Sequence, residues 1–430
     1  MDVRMRTLII VFVSILNAQQ SFDDFLKQQQ KEFNHYKESV EEQYLQYEKA
    51  EREVFEQFKK DVEMKWNQFK SSSPKTYVSY DDDLLSRASV DFENGQLLIE
   101  VIIEQEKKEV DGINHFYFDS MKPFRYSYKY QSITGNFLSM FFLFYSSSFQ
   151  NADHVRNELR QNKSKPLLQG LAKTRIVQKL VNVLSEKDAD GNGILDKQIS
   201  DDDGNYIDPT NAGRFADKQI DNQISSGKNF KAKDGKERKL FKFSLNLRDD
   251  HLDSRENKYR KEIVKQAKRF NIDPSIALAI TETESSFNPK ATSHIPAYGL
   301  MQLVPRTGAR DAYKYVYKKD KVLKKDFLYK PKNNIELGCA YLAMIRHSWL
   351  KSINDNTSAY MCTVAAYNTG IGNVAKALTN EKKISPATKR VNQLTSQQLY
   401  DTLIRDLEYE ETKNYLKKVW IRKDKYAGIG

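Results

Sequence analysis

The stretch "NIDPSIALAITETESSFNP" (residues 271–289) decides how the C-terminal part of this chain folds. Asp273 stands where a helix N-cap belongs and Pro274 at the first helical position, which predicts a helix beginning at 274. Ile276, Ile280 and Glu284 then recur four apart on one row, whereas Glu282 lies about 200° round, on the opposite side. Glu284 therefore continues an apolar stripe inward at the last turn, where the helix dipole and apolar walls both disfavour negative charge. Its carboxyl is expected to keep its proton near neutral pH, as a general acid requires. A buried glutamate merely hydrogen-bonded to its neighbours is the plainer reading of the same stripe.

Around this helix the pattern from 251 to 430 is helical almost throughout. The only two cysteines, Cys339 and Cys362, fall inside the apolar segments "IELGCAYLA" and "SAYMCTVAAYN". They read as buried core thiols, with a disulfide between facing helices as the alternative. There is no CxxC, no HExxH and no histidine pair, so no metal is assigned.

At 430 residues the chain is long enough for two or three domains. Its net charge of +11 favours a polyanionic partner: nucleic acid, anionic lipid or an acidic wall polymer. Arg4 and Arg6 precede the apolar run "LIIVFVSIL" (8–16), which "NAQQ" interrupts, the order of regions in a secretory signal. Residues 1–18 are read as that signal, cleaved after Ala18, with an uncleaved anchor as the alternative. Export disfavours nucleic acid as the partner.

Residues 19–73 read as a long amphipathic helix. Phe22, Phe33, Tyr44, Phe55 and Trp66 form one column, and Phe25, Tyr36, Tyr47, Phe58 and Phe69 a second, each with an 11-residue period. That period, about 3.67 residues per turn, makes one nearly straight apolar stripe, read as packing on its own protein or on a partner. Residues 74–250 read as a small α+β domain. Asn94-Gly95 between β-rich runs signals a hairpin, "KLFKFSLNL" (239–247) alternates as a strand, and "KTRIVQKLVNVLSEK" (173–187) has helical spacing. An aromatic-rich insert at 105–151 fits no period. "DADGNGILD" (188–196) begins like a calcium loop, but Ile199 stands where the bidentate glutamate belongs, and Asp-Gly and Asn-Gly turns explain it and "DDDGN" (201–205) better.

Four motifs stand in order: "ESSFNPKATS" (284–293), "AYGLMQLVP" (297–305), "AAYNTG" (365–370) and "EETKNYLKKV" (410–419). Together they resemble the lysozyme-like domain of the family 1 lytic transglycosylases. "YKPKNNIELGCAYL" (329–342), "VSYDDDLLSRASVDFENG" (78–95) and the Trp66-containing helix extend the resemblance to a membrane-bound branch of that family. It covers most of the chain except 105 to about 170. That branch is lipidated, and here no cysteine follows the signal, so the expected form is exported and periplasmic without a lipid, with room for a peripheral contact with a membrane.

The resemblance implies an α+β protein overall, with a mainly α lysozyme-like catalytic domain (251–430) following the long helix and the small α+β domain. It makes Glu284 the sole catalytic acid and base. Ser285 would hydrogen-bond within the site, and Gly299, Leu300, Met301 and Gln302 would line the groove, Gln302 touching the sugar. Tyr367 would orient Glu284, Asn368 would bind an N-acetyl group or ring hydroxyl, and Tyr415 would support the developing charge. On their own chemistry, Gly299 would let the chain approach a sugar without a Cβ and Met301 would offer a soft apolar contact.

No second acid appears in the matched motifs, whereas both common kinds of glycoside hydrolase use a pair. The implied reaction is non-hydrolytic cleavage of peptidoglycan glycan strands between N-acetylmuramic acid and N-acetylglucosamine, closing a 1,6-anhydro ring without a cofactor. A muramidase recruiting Asp311 or Glu336 is the rival within enzymes. A wall-binding scaffold, suggested by the striped helix, is the rival outside them.

Overall fold

Alternating apolar residues in the middle of the chain form one antiparallel sheet of five strands: β1 (Thr76–Tyr80), β2 (Ser86–Asp91), β3 (Gln96–Gln105), β4 (Ser225–Lys231) and β5 (Glu237–Asn246), in the order β1-β2-β3-β5-β4. The computed structural model of the protein describes residues 3–105 and 164–429. The expected hairpin is β2–β3, turning through 92–95, and the expected strand is β5. Because successive residues point to opposite faces, Ala88, Ile99 and Phe243 share one face with Val90, Leu97 and Leu245. Helices α2 (Ser164–Leu184) and α3 (Ala212–Gln223) cover that face through Ile176, Leu180 and Ile220. Between these helices, Asp188 accepts from the backbone N–H groups of Asp190 and Asn192, both at 2.9 Å, and Asp201 from those of Asp203 and Asn205 at 3.1 and 2.8 Å. Side-chain turns thus account for both Asp-rich loops.

The expected long helix is α1 (Val3–Trp66). The chain divides within it into two units, 1–58 and 59–430. In the first, Phe25, Phe55 and Phe58 of the aromatic columns are exposed, while Tyr44 is buried and lies 5.9 Å from Tyr47, ring centre to ring centre. No described helix is long and apolar enough to cross a membrane. In the second unit the last turn of α1 packs Val62 and Trp66 onto Ile102, on the sheet face away from α2. Trp66 Nε1 donates to the Leu84 carbonyl at 2.7 Å, and the Arg87 guanidinium lies 4.1 Å from the indole centre. The helix ends before Phe69, which stacks on Tyr80 instead of continuing its column. The aromatic insert at 105–151, apart from its first residue, lies outside the described residues.

The C-terminal part is helical as expected: α4 (His251–Arg269), α5 (Pro274–Ser285), α6 (Gly308–Tyr317), α7 (Lys325–Leu328), α8 (Pro331–Ala343) running into a π-helical turn (Met344–Trp349), α9 (Asn356–Thr369), α10 (Ile371–Thr379), α11 (Ile384–Val391), α12 (Ser396–Asp406) and α13 (Glu410–Lys425). Its core centres on α5, α8, α9 and α13 and contains Cys339 and Cys362 as free thiols. Sheet and helices have separate cores but are bonded together. Buried Arg255 of α4 donates to the Phe92 carbonyl at 2.6 Å, Tyr259 to Asp188 at 3.0 Å, and Asn288 to the Pro74 carbonyl at 3.1 Å.

Candidate active site

Helix α5 begins as its sequence dictates: the Asp273 carboxylate accepts from Ser275 N–H at 2.9 Å, with Pro274 at the first position. It ends on two residues in the left-handed region, Ser286 (φ 49°) and Phe287 (φ 58°), neither a glycine. Each costs about 1 kcal/mol. Arg255 Nε, donating to the Ser286 carbonyl at 2.9 Å, holds this turn. Glu284 sits immediately before it.

The two glutamates separate as helix geometry requires. Glu282 is buried on the far side, ion-paired with Arg422 at 2.8 Å and accepting from Tyr426 Oη. Glu284 is half-buried and accepts from Tyr415 Oη at 2.7 Å. Burial pushes its carboxyl up to about 8; the Tyr415 bond and the Lys75 charge oppose the shift, while the Glu411 charge adds to it. It is therefore largely protonated at neutral pH.

Helix α13 supplies these contacts from one face. Thr412 donates to Asn368 Oδ1 at 2.8 Å, Tyr415 to Glu284, and Arg422 NH1 to Thr283 Oγ1 at 3.0 Å. Asn368 stands in the last turn of α9, its side-chain carbonyl oxygen taken by Thr412. Beside it, Tyr367 Oη donates to the Met301 carbonyl at 2.8 Å. The orienting hydroxyl on Glu284 is thus that of Tyr415 and not of Tyr367. Tyr367 is close enough for the Glu284 charge to help hold its phenol protonated, well above the usual range, behind the larger effect of burial.

The loop carrying Gly299, Leu300, Met301 and Gln302 is placed beside Glu284 by Ser285, whose Oγ donates to the Leu300 carbonyl at 2.7 Å. Leu300 and Met301, expected along the groove, instead bury their side chains completely. Gly299 is required for another reason than sugar access: with φ at +77°, a Cβ there would lie 2.5 Å from both the Leu328 carbonyl and Asn334 Nδ2. Gly299→Ala is expected to destabilise the protein by about 2–4 kcal/mol through strain and overpacking, read as a lower thermal midpoint. Gln302, at φ 47°, donates to the Gly299 carbonyl at 2.9 Å while its own Oε1 is buried without a partner.

Glu284, Gln302, Tyr367 and Asn368 thus reach the surface, and Ser285, Gly299, Leu300, Met301 and Tyr415 support them from below. Asp311 and Glu336 are not brought to Glu284. Glu336 pairs with Arg269 at 2.7 Å, and Asp311 acts on Tyr341, whose ring lies beyond Tyr367. The acid whose charge does reach Glu284 is exposed Glu411, one turn before Tyr415. Neither Glu411 nor Lys75 stood out in the sequence. Glu411 lies inside "EETKNYLKKV", whereas nothing local marks Lys75.

Residues 261–389 match the family described as Transglycosylase SLT domain, and residues 27–111 match the one described as Membrane-bound lytic murein transglycosylase C, N-terminal domain. The membrane-bound lytic murein transglycosylase C of Haemophilus ducreyi is 40% identical over 182 residues, 42% of this chain and 48% of that protein. That of Klebsiella pneumoniae is 35% identical over 208 residues, 48% of this chain and 55% of that protein. The chain spans about half the length of the curated relatives it matches. A solved structure of an inactive mutant of the lytic transglycosylase Slt from Pseudomonas aeruginosa is 27% identical, with a TM-score of 0.31, over 39% of this chain and 24% of that one, a likeness too slight to bear on the fold.

Proposed function

We propose that this chain, whose residues 261–389 match the transglycosylase SLT domain, is a peptidoglycan lytic transglycosylase of the cell envelope, acting on the periplasmic side in wall turnover or remodelling. The observation that carries the proposal is the Glu284 carboxyl, pushed up to about 8 and held by Tyr415 at 2.7 Å, with no second carboxylate hydrogen-bonded to it among the described residues.

Protonated Glu284 donates to the oxygen between N-acetylmuramic acid and N-acetylglucosamine, and that bond breaks. The substrate's own N-acetyl group stabilises the cationic sugar, the part a second enzyme carboxylate plays elsewhere. Glu284, now a carboxylate, takes the proton from the C6 hydroxyl, whose oxygen closes the 1,6-anhydro ring and restores the acid. The Tyr415 hydrogen bond steadies the anion between the two transfers. The Asn368 amide hydrogens offer donors to the sugar's N-acetyl group and hydroxyls, and Gln302, bonded to the Gly299 carbonyl at 2.9 Å, holds the loop beside them. The net charge of +11 suits a polymer whose stem peptides carry carboxylates.

Mass spectrometry of the fragments released from sacculi tests the reading. Anhydro-ended muropeptides are expected; reducing ends would mean a muramidase, the reading that the charge of Glu411 near Glu284 favours. Tyr415→Phe adds a second test. Removing a bond that favours the carboxylate raises the Glu284 pKa further, so the alkaline limb of the rate profile moves to higher pH while kcat falls by about 10-fold to 100-fold. An unmoved limb would detach Tyr415 from the acid.

A further inference from the structure

Half-buried Lys75, just before β1, reaches the neighbourhood of Glu284 from the sheet, and its backbone is fixed on both sides. On the strand side its carbonyl accepts from the Phe92 N–H at 2.9 Å, and the Phe92 carbonyl accepts from buried Arg255 at 2.6 Å. On the helix side the Pro74 carbonyl accepts from buried Asn288 at 3.1 Å, and the Asn288 N–H donates to the Ser285 carbonyl at 3.0 Å. Lys75 is thus tied to the turn that follows Glu284. We propose that Lys75 is a positioning residue for the reaction, a counter-charge supplied by the sheet that steadies the Glu284 carboxylate between its two proton transfers. The proposal rests on the reading of Glu284 as the acid and base of a peptidoglycan enzyme.

The groups facing Glu284 divide the work. Tyr415 of α13 bonds it, Tyr367 of α9 keeps its own proton, Glu411 of α13 opposes the carboxylate and Lys75 favours it. A lone acid that is also the base must take both forms in every cycle. Burial and Glu411 favour the protonated form, from which the first transfer starts. The second starts from the carboxylate, and a fixed cation nearby lowers the cost of forming it.

Lys75 is itself held by charge. Its ammonium pairs with Glu93, in the turn between β2 and β3, and faces Lys418 and Arg422 of α13. Burial lowers its pKa; the Glu93 carboxylate opposes that and keeps the charge in place, while the two cations add to the lowering. Arg422 cannot take over the part of Lys75, because it bonds Glu282 at 2.8 Å and Thr283 Oγ1 at 3.0 Å, away from Glu284. It also approaches Glu93 at 3.7 Å, so Glu93 keeps a cationic neighbour when Lys75 is replaced.

The test uses the full chain with Lys75→Met and Lys75→Gln, which remove the charge, and Lys75→Arg, which keeps it. In the first two, the alkaline limb of fragment release from sacculi is expected to move up by about 0.5–1 pH units, with kcat at neutral pH about three- to ten-fold lower and KM unchanged. Lys75→Arg should restore most of both. A merely structural part for Lys75 would lower the rate alike at every pH and leave the limb in place. Titration of Glu284 is also read without turnover, by carbon NMR of protein labelled at the glutamate carboxyls, its signal being the one missing from Glu284→Gln. It should move by the same amount as the limb. That titration decides the part of Lys75 even if the unsubstituted protein releases no product, a result that would count against the enzyme reading alone. An unmoved titration in Lys75→Met and Lys75→Gln, or one that Lys75→Arg moves as far as they do, would overturn the proposal. Should Lys75→Met fail to fold by circular dichroism, Lys75→Gln decides by itself.

Discussion

Glu284→Gln is expected to lower release of soluble fragments from sacculi by about 10³-fold or more while leaving sacculus binding in place. The glutamine carbonyl can still accept from Tyr415, so geometry survives and only the transferable proton is lost. The same change should stabilise the fold. The Glu284 pKa is raised in the folded protein, from an ordinary 4.5 to about 8, so between those values the native state binds more protons than the unfolded chain. Stability contributed at this site is therefore full below the lower value and falls as pH rises toward the upper one. The variant, which has no such loss, should unfold at a higher temperature than wild type at about pH 8 and at nearly the same temperature at about pH 4. A variant keeping a tenth of the rate would remove Glu284 from the chemistry, and an equal midpoint at both pH values would mean that its carboxyl is not shifted.

Arg255→Met is expected to cost about 3–5 kcal/mol in urea unfolding, among the largest losses any single change outside the apolar core would bring. The side chain is buried and forms no salt bridge with a described carboxylate. Its guanidinium donates to the Ser286 and Phe92 carbonyls at 2.9 and 2.6 Å and to Gln198 Oε1 at 2.5 Å. Methionine fits the space and removes a buried charge, yet it strands three acceptors. Because one of them caps the left-handed turn after Glu284, kcat should fall together with stability. A loss below about 1 kcal/mol would show that water replaces the guanidinium at no great cost.

Elements whose signal is local were legible in the sequence. Asp273 and Pro274 set the start of α5, the four-residue row separated Glu284 from Glu282, and Asn94-Gly95 placed the hairpin. Strand β4, "SSGKNFK", has no apolar alternation because it is an exposed edge, and its pairing with β5 comes from the sheet. The tyrosines show the other limit. Both 367 and 415 stand in the matched motifs, but which hydroxyl meets Glu284 depends on how α9 and α13 cross. Leu300 and Met301, expected along the groove, turn their side chains into the core, since a motif records that residues are needed without recording which way they face. Arg255 and Lys75 act across long sequence separations, and no period or cap announces such contacts.

The most direct test of the account is digestion of sacculi in water enriched in heavy oxygen, followed by mass analysis of the muramic acid ends. Intramolecular attack by the C6 hydroxyl, with Glu284 as the only acid and base, predicts unlabelled anhydro ends throughout. Heavy oxygen at a new reducing end would show that water is the nucleophile and that a second carboxylate, Glu411 first among the candidates, completes the site.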